Sequence, residues 1–157
     1  GLWTTDRGRD SRAIIQRMSF DDLPDNWPEL PLTDQRLLAD VLDLVVSEQS
    51  RRDGALYVLL CDEQARLVQP IAIDLLEAPT DLAAREELMA SVVGMTHHLG
   101  ENGSYVVAIA RRGGHSVTPD DEQWAAAVRS TQGSWRLLGV HVVTRDGSRP
   151  IPLTRAA

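Results

Sequence analysis

The stretch "SYVVAIARRGGHSVTPDD", residues 104–121, decides how this chain folds. Its first seven residues are apolar with no alternation, the pattern of a strand covered on both faces. Its last four open a helix. Thr118 can cap, Pro119 fits the first helical position without losing a needed N–H, and Asp121, three residues after the cap, can complete a capping box. A covered strand that passes through a loop into a capped helix is a building unit of an α/β domain. The loop between them, with two arginines, two glycines and a histidine, raises the question of chemistry.

Working outward, "EQWAAAVRSTQG" continues the helix, and after Gly133 the run "RLLGVHVVT" reads as a strand. Asp146-Gly147 supplies a tight hairpin turn into "SRPIPL". Pro150 and Pro152 remove donors from the same side of that strand, which places it at a sheet edge. Upstream, Leu88, Val92, Met95 and Leu99 share one side of a helix from Thr80 to Leu99, ended by Gly100 and the turn "GENG". "ALYVLLC" and "RLVQPIAI" flank "DEQA" as a hairpin, with Pro70 marking an edge or a bulge. "DQRLLADVLDLVVSEQS" predicts an amphipathic helix with Thr33 as its N-cap and a stripe of Leu37, Leu38, Val41, Leu42, Val45 and Val46. Leu44 lies off that stripe and is a candidate interface residue.

This order predicts a single α/β domain over residues 34–153, with a central mixed sheet flanked by helices. Residues 1–17 form a basic arm, four Arg against two Asp, that carries Trp3 as a second candidate interface residue. The arm opens without Met, whereas Met18 begins a more coherent acidic segment, so part of the arm is expected to be a disordered or added extension rather than part of the domain. Residues 18–33 read as a Pro- and Asp-rich extended strap whose Phe20, Leu23, Trp27 and Leu30 pack on the domain, and 154–157 as a tail.

The net charge of −7 argues against a general polyanion binder, so nucleic acid is not an expected partner. No apolar run approaches the roughly 20 residues that span a bilayer, and a membrane partner is not expected either. The expected location is cytoplasmic. A single cysteine, Cys61, excludes an internal disulfide and a multi-thiolate zinc site, and it reads as a small buried apolar residue. All 16 basic residues are Arg.

The sequence of hairpin, long helix, central strand, loop, helix and strand over about residues 35–152 resembles the JAB/MPN domain, most of all its bacterial RadC-like branch. The resemblance implies an architecture with cytidine-deaminase-like layering. In that family a His-x-His-Pro segment after the central strand, a Ser that begins the next helix, an Asp one turn on and an upstream Glu organise zinc and its water for amide hydrolysis. When "TPDD" is laid on the end of the family's loop, Ala110 and Arg112 stand where the two His belong. Asp120 replaces the Ser and Gln123 the Asp. The resemblance therefore implies a pseudoenzyme, and pseudoenzymes on this fold serve as dimerisation and docking scaffolds.

A metal site rebuilt from other residues has little to draw on. His97 and His98 are neighbours on a helix, about 100° apart, and His141 sits in a strand pattern, so each reads as a structural histidine held by a hydrogen-bond partner. His115 differs in lying on a loop. The loop could also cradle an anion, since Arg111 and Arg112 precede a helix N-terminus, although Asp120 and Asp121 in the first turn oppose this. No Gly-x-Gly-x-x-Gly or Walker pattern supports a nucleotide, and Ser91, Ser104 and Ser116 lack a nucleophile elbow. Trp124 and Trp135 bracket the helix as core or groove wall.

The expectation is a non-catalytic domain with no cofactor, metal or catalytic residue, which binds a protein partner or itself through a helical surface. Two alternatives use the loop set Arg111, Arg112, His115 and Asp121: a hydrolase with a relocated site, or a small-ligand or anion-sensing domain.

Overall fold

A strand with every residue buried needs apolar cover on both faces, and β3 (Ser104–Ala110) is such a strand. The computed structural model describes residues 27–75, 79–96 and 98–152. In it, β3 lies at the centre of a five-stranded mixed sheet of order β2-β1-β3-β4-β5, formed with β1 (Ala55–Cys61), β2 (Leu67–Asp74), β4 (Arg136–Thr144) and β5 (Gly147–Ile151). β1 runs antiparallel to both β2 and β3, β3 and β4 are parallel, and β5 returns antiparallel along β4. Among the described residues the four α-helices are α1 (Gln35–Val45), α2 (Glu48–Asp53), α3 (Leu82–Thr96) and α4 (Pro119–Ser130), and they complete a single α/β domain. None is long and apolar enough to cross a membrane.

The alternation of side chains along the strands sorts the core into two clusters. Tyr57, Leu59, Val106, Ala108 and Val143 pack with Leu38, Val41, Leu42 and Val45 of α1. Leu56, Val58, Val107, Ile109, Val140 and Val142 pack with Met89, Val92 and Val93 of α3 and with Trp124, Ala125 and Val128 of α4. Helix α4 is the crossover that parallel strands β3 and β4 require. Trp135 closes the lower end of the second cluster, against Gly103, where a Cβ would stand 2.6 Å from the indole.

The edges are as the prolines require: β2 with Pro70 and β5 with Pro150 are the outer strands, and the β1–β2 pairing slips at Leu60/Cys61. The β4–β5 turn is shifted by one residue from the expectation. Thr144 pairs with Gly147, so Arg145 and Asp146 are the turn and Gly147, at φ +116°, opens the strand.

Several expectations are corrected by the structure. Asp34 caps α1, not Thr33, because its carboxylate accepts from the N–H groups of both Arg36 and Leu37, at 3.0 and 3.1 Å. The expected helix over 34–50 is two helices. Val46 is extended, and Ser47 then caps α2 by accepting from Ser50 N–H, a competition with helical backbone bonding that serine favours. Leu44 is not at a surface: it is 1% exposed within the cluster that also takes in Leu32 from the segment before the helix. Leu30 packs on that cluster, but Trp27–Glu29 form a 3-10 helix instead of the extended backbone expected of the strap. In α3 the buried positions are Arg85, Met89, Val92, Val93 and Thr96, while Met95 and Leu99 of the expected stripe are 48% and 59% exposed. This helix buries an arginine, which an apolar count cannot register. Residues 1–26, 76–78, 97 and 153–157, with the Trp27 side chain, lie outside the described residues, and so do the expectations placed on Trp3, Phe20, Leu23, His97 and the tail.

Leu44→Ala should therefore lower the unfolding free energy by about 2–5 kcal/mol, read from denaturant titration. A variant as stable as the parent chain would put Leu44 back on the surface.

Candidate functional site

In open α/β sheets ligands bind outside the carboxyl ends of parallel strands, here the ends of β3 and β4. The loop leaving β3 is built around Arg111. Its Nε and Nη2 donate to Asp121 Oδ1 and Oδ2 at 2.9 and 2.7 Å. Nη1 donates to the carbonyls of Arg112 and Gly114 at 2.8 and 2.9 Å, and Nη2 also donates to that of Ser116 at 3.0 Å. All five guanidinium N–H donors are thus engaged by the loop and the first turn of α4. Gly113 makes the turn at φ +93°, with Arg111 Nη1 3.4 Å from where a Cβ would be.

Asp121 is the other half of this fastening. Its side chain is fully buried. Thr118 N–H donates to Asp121 Oδ2 at 2.9 Å, and Asp121 N–H donates to Thr118 Oγ1 at 3.1 Å, so the expected capping box is present with Pro119 beginning the helix. Burial pushes the Asp121 carboxyl up, but the hydrogen bonds from Arg111 and Thr118, with the Arg111 charge, outweigh it and hold the group below its ordinary value.

A second guanidinium fastens α3 to α4. Arg85, 4% exposed, donates to Pro79 O at 2.9 Å, Gln123 Oε1 at 2.9 Å and Asp120 Oδ1 at 2.8 Å. It also stacks over Trp124, 4.5 Å from the ring centre.

The four candidates of the loop do not converge. Arg111 and Asp121 bind each other, with the carboxylate buried. Arg112 turns away and donates through Nε to Arg52 O at 2.8 Å. His115 is half-buried, and no hydrogen bond joins it to the other three among the described residues. No group of three His, Cys, Asp or Glu is placed to hold a metal ion among the described residues. Cys61 is buried, and burial together with the Asp62 charge raises its thiol to about 12, too high for a nucleophile at neutral pH. Trp124 and Trp135 are core residues.

His141 departs from the expectation of a structural histidine with a hydrogen-bond partner. It is 4% exposed, on the sheet face opposite Val140 and Val142, with its ring against Gly139, and its Nδ1 has no partner. Burial pushes its pKa down to about 4, so the ring is neutral.

What the sequence reading missed is a cavity of about 550 Å³ beside the loop, lined by Glu48, Arg51, Arg52, Arg112, Gly113 and Arg145. Arg51 donates to Thr144 O at 3.2 Å and to the carbonyl and carboxylate of Asp43, each at 3.1 Å. Its Nε is buried without a partner. Arg52 reaches Gln49 Oε1 at 2.8 Å. The residues come from α2, the β3–α4 loop and the β4–β5 turn, segments too distant in the chain for a spacing signal.

No family model matches the chain, and neither a curated protein nor a solved structure does.

Asp121→Asn, which leaves Arg111 without its carboxylate, should cost about 3 kcal/mol by thermal or denaturant unfolding, against about 1 kcal/mol for Thr118→Ala. Equal costs would mean that the cap, not the ion pair, holds the loop. For His141, the unfolded chain takes up a proton near 6.5 and the fold only near 4. The stability tied to the neutral ring is complete above pH 6.5 and declines as pH falls toward 4, by about 3 kcal/mol. His141→Leu should flatten that part of the stability profile; an unchanged slope would show that the ring is hydrated.

Proposed function

We propose that this chain is a non-catalytic JAB/MPN-like domain, closest in layering to the RadC-like branch, which works as a protein-interaction or dimerisation module. The observation that carries the reading is the bonding of Arg85. Asp120 and Gln123, which stand at the resembled family's Ser and Asp positions, both accept hydrogen bonds from this buried guanidinium. A permanent cation engages Asp120 Oδ1 and Gln123 Oε1, and Arg112, at a His position, is turned toward Arg52. A mixed sheet with α1 on one face and α3 and α4 on the other is compatible with the layering that the resemblance implies.

The relocated hydrolase is less well supported. Its acid, Asp121, is held ionised by Arg111 and is fully buried, so it can neither relay a proton nor reach a substrate. The interaction surface cannot be the α1 face, since Leu44 is core.

Purified chain equilibrated with zinc and desalted should retain well under one equivalent and cleave no amide substrate. Its mass in solution, or that of its complex with a partner, should exceed the 17.3 kDa of one chain. Zinc-dependent cleavage that disappears in His115→Ala would overturn the proposal in favour of the hydrolase.

A further inference from the structure

The cavity at the carboxyl ends of β3 and β4 gathers four arginines and one glutamate, an excess of three positive charges, in a chain whose net charge is −7. Because every basic residue of the chain is arginine, residue type carries no weight here; the convergence does. Arg51 and Arg52 come from α2, Arg112 from the loop after β3, and Arg145 from the β4–β5 turn. Guanidiniums brought together in this way repel one another unless an anion lies between them.

The hydrogen bonding shows that these groups are under-used. Arg145 has no partner among the described residues. Arg112 engages only Nε, leaving both terminal nitrogens, and Arg52 engages only Nη2. At the cavity wall Arg51 keeps a buried Nε–H with no acceptor, a state that native structures rarely tolerate. Asp43 is committed to Arg51, which leaves Glu48 as the lining carboxylate. The contrast with Arg111 is direct: there five donors meet five acceptors, and here the donors outnumber the acceptors.

We infer that this cavity is a binding site for a small molecule bearing two or more phosphoryl groups. Tetrahedral oxygens spread over two adjacent groups can meet forked donors arriving from three segments, which a planar carboxylate cannot do equally well. The volume, about 550 Å³, falls within the range of small-ligand pockets and is more than a single phosphate fills. The bend at Gly113 brings backbone without a side chain to the wall. The site is separate from the Arg111–Asp121 fastening, which no ligand needs to disturb.

The test is calorimetric titration of the full chain at physiological salt with inorganic pyrophosphate, orthophosphate and citrate. Pyrophosphate should bind one per chain, roughly tenfold or more tighter than either of the others, as a difference of one or two forked contacts allows. Arg145→Gln, in an exposed turn with no partner to lose, should weaken pyrophosphate about tenfold while leaving the unliganded unfolding midpoint unchanged or slightly raised. Arg112→Gln should act in the same direction. Arg136→Gln, at the far end of β4, removes the same charge outside the cavity and should leave the affinity unchanged. No binding at millimolar pyrophosphate would overturn the inference, as would an affinity indifferent to Arg145 or equally lowered by Arg136→Gln. Citrate binding as tightly as pyrophosphate would overturn the phosphoryl assignment.

Discussion

The ion pair between Arg111 and Asp121 is the constraint on which the rest of the structure depends. It joins the end of the central strand to the start of the crossover helix, and it does so with a carboxylate that is fully buried. An isolated charge at that depth would be strongly unfavourable, so each partner requires the other. Three backbone carbonyls of the loop complete the guanidinium's bonding, and the loop thereby takes one shape. The position of α4 over the sheet follows, and with it the parallel placement of β4 beside β3.

Arg85 repeats the device one layer away. Its bonds to Asp120, Gln123 and Pro79 tie α3 to the first turn of α4, and the Trp124 ring covers its face. Two arginines, Arg85 buried and Arg111 half-buried, thus hold the first turn of α4, one from α3 and one from the end of β3. The same residue type has a different consequence around the cavity, where it is gathered without enough acceptors. Fastening and recognition are told apart here by whether each N–H has a partner, not by the presence of arginine.

The sheet itself was legible in the sequence because its cues are local. Alternation, or its absence in "SYVVAIA", separates outer from central strands, and a proline in a strand removes a ladder donor wherever the chain goes. Thr118, Pro119 and Asp121 define a helix start through bonds within four residues, and the structure has all of them. The cap of α1 was misread by one position because Thr33 and Asp34 are both capping residues, and only geometry chooses between them.

What the sequence by itself determined is the five strands, the helices before and after β3, their order, the edge strands and the capped start of α4, each encoded by interactions spanning a few residues. Only the tertiary structure decided which side of a helix is inside and which arginines meet. Leu44 is core, in one cluster with Leu32 and with side chains of β1, β3 and β4, and Met95 is exposed on the helix that buries Arg85. Arg51 and Arg145 stand far apart in the chain and line one cavity because α2 and the β4–β5 turn are carried to the same end of the sheet. Such proximity is a property of the strand order, and no window of sequence contains it.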